Sequence, residues 1–196
     1  MRRLPTRHTT THSPFTQPDF PPMKSTRVLL VLSMALAGAW LFVAGCATAP
    51  QASSFNLKFE LAPSLAGSSI QIDLIGANAV SDLPKWQTMS VTEYWQPDNA
   101  QRRDADKAVL QFGPGKTNVQ TFANSDRAWA HWLTTGAMYV IVIVDLPGIS
   151  ADREGNADPR RLILPLDLKK WPSDVKTLEM RIQESGVRLL TPMKTT

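Results

Sequence analysis

The chain has 196 residues, 43% hydrophobic and 19% charged, with a formal net charge of +4. Five of its 21 basic residues but only one of its 17 acidic residues lie in positions 1–45, so the rest of the chain is close to neutral. This balance gives no electrostatic reason to expect a nucleic-acid partner. The single cysteine excludes an internal disulfide, so the fold must be stabilised by packing.

Residues 1–22 are rich in proline, threonine and histidine, a composition typical of an unstructured segment. Residues 23–45 have the three-part layout of a secretory signal peptide: a short basic start, an uncharged apolar run and small residues at the end. We therefore predict that translation starts at Met23 and that residues 1–22 are a misassigned extension. The alternative is a proline-rich cytoplasmic tail.

The end of the apolar run, Val43-Ala44-Gly45-Cys46, resembles the lipobox of bacterial lipoproteins. The resemblance implies that the Cys46 sulfur carries a diacylglycerol, and that cleavage before it frees an amine for further acylation. Ala47, rather than aspartate, favours the outer membrane under the enterobacterial sorting rule. Residues 46–54 are then a lipidated, flexible tether. The alternative is an ordinary transmembrane anchor followed by a chance cysteine.

Residues 55–196 are predicted to form one domain, and its first half reads as short strands. "FNLKFEL" and "SIQIDLIG" alternate apolar and polar residues, and the turn residues between them suggest antiparallel neighbours. "TMSVTEYW" is predicted to be a third strand, followed by the polar loop "PDNAQRRDADK". "AVLQFG" and "NVQTFA" are expected to form a hairpin around "PGKT".

The second half contains one predicted helix and the most apolar strand. "SDRAWAHWL" reads as a short helix with Ser125 as N-cap, whose Trp129 and Trp132 seal the core. "AMYVIVIVDLPG" is expected to be a central strand covered on both faces, and "RRLILPL", "TLEMRIQ" and "GVRLLTP" are further strands. We therefore predict a mainly β protein: a two-sheet β-sandwich, transthyretin-like or immunoglobulin-like, with one short helix.

Motifs that carry chemistry are incomplete. "GPGKT" lacks the first glycine of a phosphate loop, because position 110 is leucine. Acidic residues alternate from Asp152 to Asp158, but Ala157 and Ile163 occupy the positions where a calcium-binding EF-hand needs glycine and glutamate. His131 is the one histidine after Cys46, which excludes a multi-histidine metal site. We predict a protein without catalytic residues, metal or cofactor; a hydrolase centred on His131 is an alternative.

The lipobox followed by a β-rich domain resembles the outer-membrane lipoprotein of the type VI secretion system. "VIVIVDLPG", "RRLILPLDLKKW" and "TLEMRIQESGVRL" are similar in character to the last strands of that family. The resemblance implies a transthyretin-like sandwich on the periplasmic face of the outer membrane. It also implies a scaffold role, with the periplasmic part of an inner-membrane secretion protein as partner.

We expect recognition through loops at one end of the sandwich, because such loops vary without disturbing the core. The candidates are Arg102 and Arg103 in "QPDNAQRRDADK", and Arg160 and Arg161 in "ISADREGNADPRR". An envelope-associated lipoprotein that binds carbohydrate or protein is the alternative, and aromatic residues exposed on one sheet face, such as Tyr94 and Trp95, would favour it.

Overall fold

The structure is a computed structural model that describes residues 51–194. The predicted extension 1–22, the predicted signal peptide 23–45 and the predicted lipidation site Cys46 lie outside these residues. The strands are β1 (Asn56–Leu61), β2 (Ile70–Ala77), β3 (Lys107–Phe112), β4 (Val119–Phe122), β5 (Tyr139–Val144), β6 (Arg161–Pro165), β7 (Thr177–Gln183) and β8 (Gly186–Leu189). The helices are α1 (Leu83–Thr88), α2 (Val91–Tyr94), α3 (Ala100–Asp104) and α4 (Arg127–Thr134), and three-residue 3-10 turns occupy Pro63–Leu65, Gly155–Ala157 and Leu168–Lys170.

The strands form two four-stranded sheets. The first sheet has the order β4-β1-β7-β8 and the second has the order β3-β2-β5-β6. All pairings are antiparallel except that of β1 with β7. This architecture confirms the predicted mainly β, two-sheet sandwich, and α4 is its one helix of eight residues.

Two predicted strand pairs are wrong. β1 and β2 lie in different sheets, and so do β3 and β4, so neither pair is a hairpin. The chain crosses from one sheet to the other within both connections. Each strand still buries one apolar face against the shared core, so the alternating sequence pattern does not distinguish a crossing from a hairpin.

The predicted third strand is also wrong, because its sequence forms helix α2. Ser90 is the N-cap, and its hydroxyl accepts a hydrogen bond from the Glu93 backbone N–H at 2.9 Å. The predicted polar loop contains helix α3, which Asn99 caps in the same way. Helix α4 is where the sequence placed it, but its N-cap is Asp126 rather than Ser125.

The second sheet separates two hydrophobic cores. The inner core lies between the sheets and includes residues of every strand. Strand β4 contributes Phe122 alone, and β3 contributes Phe112 with the partly buried Ala108 and Leu110. The outer core lies on the opposite face of the second sheet, under helices α1 and α2. Its buried members are Ile75, Ala77, Trp86, Val91, Tyr94, Ile141, Ile143 and Ile163. Strand β5 is therefore buried on both faces, which confirms the prediction of a covered central strand.

Helix α4 covers the inner core through its two tryptophans, as predicted. Trp129 and Trp132 are each 2% exposed and contact the ring of Phe122. A Cβ added at Gly76 on β2 would lie 2.3 Å from Cγ of Trp132. The absence of a side chain at Gly76 therefore allows the helix to approach the second sheet this closely.

Candidate partner-binding surface

A fully buried carboxylate connects the second sheet to the segment between β2 and β3. Asp73 on β2 has 0% exposure, and its oxygens accept hydrogen bonds from three side chains. These donors are the hydroxyl of Tyr94 at 2.8 Å, Nε of Arg102 at 3.1 Å and Nε2 of Gln71 at 2.7 Å. The charge of Asp73 is thus compensated inside the fold, as a buried carboxylate requires.

Arg102 also packs on aromatic rings. Its guanidinium carbon lies 4.3 Å from the ring centroid of Trp95 and 5.9 Å from that of Tyr94, which are cation–π distances. Burial of Tyr94, with the neighbouring charge of Asp73, raises the pKa of its hydroxyl well above the usual range. Tyr94 is therefore a neutral donor to Asp73, and Arg102 supplies the balancing positive charge.

A second network fixes the segment between β5 and β6. The Arg160 side chain is 4% exposed, and its guanidinium contacts Asp158 at 3.0 Å and also pairs with Asp152. It further donates to the hydroxyl of Thr92 at 3.1 Å and to the carbonyl of Ile149 at 2.8 Å. Arg160 therefore connects its own loop to helix α2.

Asp152 completes the link between this loop and α2. Its carboxylate accepts hydrogen bonds from the Thr92 backbone N–H at 2.9 Å and from the Ser90 hydroxyl. Partial burial acts to raise the pKa of Asp152, but hydrogen bonds from Ser90, Thr92 and Arg160 outweigh it and lower the pKa to about 2. Asp152 is thus a carboxylate at any physiological pH.

Arg161 is buried with 0% exposure and donates to backbone carbonyls rather than to carboxylates. Its acceptors are Gly155 at 2.8 Å, Trp86 at 2.8 Å and Met89 at 2.9 Å, together with Arg153. Burial lowers the pKa of the Arg161 guanidinium. The residue holds the end of α1 and the 153–155 turn against the second sheet.

The four arginines of the sequence prediction therefore differ in position. Arg160 and Arg161 are buried, so their side chains are not exposed to a partner. The Arg102 side chain is 25% exposed and belongs to the Asp73 network. The Arg103 side chain is 70% exposed and pairs with Asp104 beside it at 2.9 Å. Partner binding by these loops stays a prediction, with Arg103 as its accessible residue.

The structure also shows where the residues named in the alternative hypotheses lie. Tyr94 is 1% exposed, so it cannot be the exposed aromatic residue that carbohydrate binding would use, whereas Trp95 is half-buried. His131 lies on the surface, 3.3 Å from a carboxylate oxygen of Asp106. Asp152 and Asp158, from the acidic segment, both contact Arg160.

Residues 51–194 contain neither a group of metal ligands nor a helix that could span a membrane. Within this part of the chain no three His, Cys, Asp or Glu side chains are grouped so that they could hold a metal ion. The same residues include no helix with the length and apolar character needed to cross a bilayer.

Comparison with known proteins found similarity among solved structures alone: no family model and no curated protein matches the chain. The C-terminal domain of the type VI secretion protein TssM from EAEC is 10% identical, with a TM-score of 0.44 over 70% of this chain and 100% of that one. Serratia marcescens Lip, a membrane-bound component of the type VI secretion system, is 16% identical, with a TM-score of 0.40 over 71% and 98%. The type VI lipoprotein TssJ1 from Pseudomonas aeruginosa is 12% identical, with a TM-score of 0.40 over 74% and 98%.

Proposed function

We propose that the chain is a lipid-anchored scaffold on the periplasmic face of the bacterial outer membrane, in an envelope-spanning secretion complex. It is similar in this role to the type VI secretion outer-membrane lipoprotein, and its partner is the periplasmic part of an inner-membrane secretion protein. The observation that carries the proposal is that a sequence resembling a lipobox, Val43-Ala44-Gly45-Cys46, stands shortly before a β-sandwich.

The short spacing between Cys46 and the folded domain supports a role close to the membrane. Ala52 already forms a bridge with Asp167, and the Ser53 N–H donates to the Leu166 carbonyl at 3.0 Å. The six residues from Cys46 to Gln51 span at most about 20 Å when fully extended. A lipid on Cys46 would therefore hold the sandwich near the bilayer surface, where a partner reaching from the inner membrane must meet it.

The anchor is tested by comparing the wild type with Cys46→Ser after metabolic labelling with a fatty-acid probe. We expect the wild type to be labelled and to fractionate with the outer membrane, while Cys46→Ser is unlabelled and released into the periplasm. Equal labelling of both proteins would contradict the anchor.

The scaffold role is tested with the gene deleted and then complemented. We expect deletion to stop release of the secreted tube protein into the medium, wild-type protein to restore it, and Cys46→Ser not to restore it. Undiminished release after deletion, together with binding of the protein to isolated cell-wall carbohydrate, would favour the envelope-binding alternative.

The partner contact is tested by capturing the purified periplasmic part of the inner-membrane secretion protein. Arg103→Glu should weaken capture if the loop before β3 binds it, because this side chain is exposed and its reversal leaves the buried networks intact. Arg188→Glu, at the exposed position of edge strand β8 in the first sheet, is the matched control and should not weaken capture. Equal capture by both variants would place recognition elsewhere on the domain.

A further inference from the structure

Strands β3 and β4 are both open edges and lie on the same side of the sandwich. In the described part of the chain, β3 pairs with β2 alone and β4 pairs with β1 alone. A groove of about 700 Å³ separates them. Its lining includes Ala108 and Leu110 from β3, Phe122 from β4, and Ala128 and His131 from α4.

The direction of the free backbone groups on β3 follows from the contacts of Gln111. Its carbonyl accepts hydrogen bonds from Nε2 of Gln120 and from Nζ of Lys116, the latter at 3.2 Å. Neither donor belongs to the second sheet, which contains β3. Gln71 is opposite Gln111 on β2, and its carbonyl accepts from Asp145 on the far side, at 2.8 Å. The backbone groups of Gln111 therefore point away from β2.

Backbone groups alternate in direction along an antiparallel strand, so Val109 and Lys107 also point away from β2. Over residues 51–194 the N–H and C=O groups of Val109 have no protein partner. Val109 is 44% exposed, although valine is apolar. The edge of β3 thus offers unpaired, aligned backbone groups beside a groove whose lining mixes charged and apolar side chains.

We propose that the edge of β3 binds an extended segment of another protein, which adds a strand to the second sheet. Only an extended backbone matches donors and acceptors that repeat at strand spacing. Alternate side chains of that segment would enter the groove against Ala108, Leu110 and Phe122, so they should be small and apolar.

The charges around the groove indicate that the segment is close to neutral. The lining contains two acidic residues, Asp106 and Asp126, and two basic residues, Lys107 and Arg127. His131 lies beside Asp106. A strongly acidic or basic segment would meet like charges at this rim as often as opposite ones. A short uncharged run of alternating residues is therefore the matching partner.

A second copy of this chain fits the edge less well. Lys116 and Gln120 already occupy the Gln111 carbonyl, so Lys107 and Val109 are the residues left for symmetric pairing. Lysine at an edge strand is also typical of protection against self-pairing.

The test uses the full lipoprotein in detergent and a defined probe, an acetylated fluorescent peptide of alternating valine and threonine. The control probe is the same peptide with N-methyl groups on alternate residues, which cannot pair along one edge. We expect the first peptide to bind and to slow hydrogen exchange in residues 107–112, and the N-methylated peptide to do neither.

The matched protein variants are Val109→Pro and Val109→Thr. Proline removes the outward N–H and leaves the pairing with β2 intact, since that N–H faces away from the sheet. We expect Val109→Pro to weaken peptide binding by about tenfold or more and Val109→Thr to bind like the parent. If Val109→Pro melts earlier than the parent, the N-methylated peptide decides the question on the unaltered protein.

Four results would overturn the proposal. Equal binding of the two peptides would show that backbone pairing is not used, and unchanged exchange in residues 107–112 would show that the peptide binds elsewhere. Slow exchange without peptide that increases with protein concentration would assign the edge to a second copy. Slow exchange without peptide that is independent of concentration would assign it to the chain's own N-terminal segment.

Discussion

The outer faces of the two sheets differ in their exposure to solvent. In the first sheet, β1 and β7 alternate buried with partly exposed residues. The outer face carries the exposed ion pairs Lys58–Glu179 at 3.0 Å and Arg181–Glu60 at 3.3 Å. In the second sheet, Asp73 on the outer face is fully buried and pairs with Arg102.

The difference shows that the outer face of the second sheet belongs to the protein interior. The segment between β2 and β3 supplies a second hydrophobic layer, and buried polar groups attach that layer to the sheet. A charge on the first sheet is screened by water and contributes little. A charge on the second sheet must have its partner in place, because water cannot compensate it.

The largest expected effect comes from an unpaired charge in the outer core. Ile141 is 0% exposed between Ile75 and Ile163 on the neighbouring strands. Ile141→Asp should lower the free energy of unfolding by about 4 kcal/mol, because no partner compensates the carboxylate. Thr121→Asp, on the exposed face of the first sheet, should change it by less than about 0.5 kcal/mol. Urea unfolding measures both, and similar values for the two would show that the outer core is not a true interior.

The next effect compares an ion pair from each sheet. Asp73→Ala removes the fully buried carboxylate that compensates partly buried Arg102 and should cost about 3 kcal/mol. Glu179→Ala breaks the exposed pair with Lys58 and should cost at most about 0.5 kcal/mol. Thermal unfolding of the two variants is the measurement. A loss for Glu179→Ala as large as that for Asp73→Ala would contradict the contrast between the sheets.

A smaller effect tests the inner face of the second sheet. Gly76→Ala places a methyl group against the base of the Trp132 side chain, which cannot rotate away, and should cost about 2 kcal/mol. Gly113→Ala is the control, since its added Cβ meets only the Ser69 hydroxyl at 3.8 Å. Melting temperatures that fall equally for both would show that the close approach of α4 does not limit the fold.

The smallest effect is the pH dependence of the loop between β5 and β6. The pKa of Asp152 is about 2 in the folded protein, below its usual value of 3.8. Its stabilising contribution is therefore complete above pH 4 and is lost as the pH falls towards 2. Partial exposure limits that contribution to about 1 kcal/mol. Unfolding of Asp152→Asn should depend less steeply on pH across this window, and an unchanged dependence would exclude Asp152 as its source.

The strands of both sheets could be predicted because each buries one face or two. Alternation marks β1 and β7, whose other face meets solvent, and a continuous apolar run marks β5, which is covered on both faces. The helical spacing of Trp129 and Trp132 predicts that both lie on the buried face of α4. These features depend on burial, which the spacing of apolar residues reports directly.

The prediction of a strand at helix α2 is wrong because this short sequence fits both the strand period and the helix period. Met89 and Val91 alternate as in a strand, while Val91 and Tyr94 are three apart, as on one helical face. Ser90 and Glu93 have the spacing of a helix-capping box, and this signal could have identified the helix. Four residues are too few for periodicity alone to decide.

The sequence by itself determined the two-sheet sandwich, the position of its covered strand and the lipobox resemblance, because apolar spacing and a local motif specify them. Which strands pair, and which arginines are buried, was decided by the tertiary structure. Arg102, Arg160 and Arg161 lie in polar sequence and look like surface residues, but Arg160 and Arg161 are buried and Arg102 is partly buried. Their acceptors, Asp73, Thr92 and the carbonyls of Trp86 and Met89, come from other parts of the chain. Only folding brings these donors and acceptors together and excludes water from them, so local sequence does not report their burial.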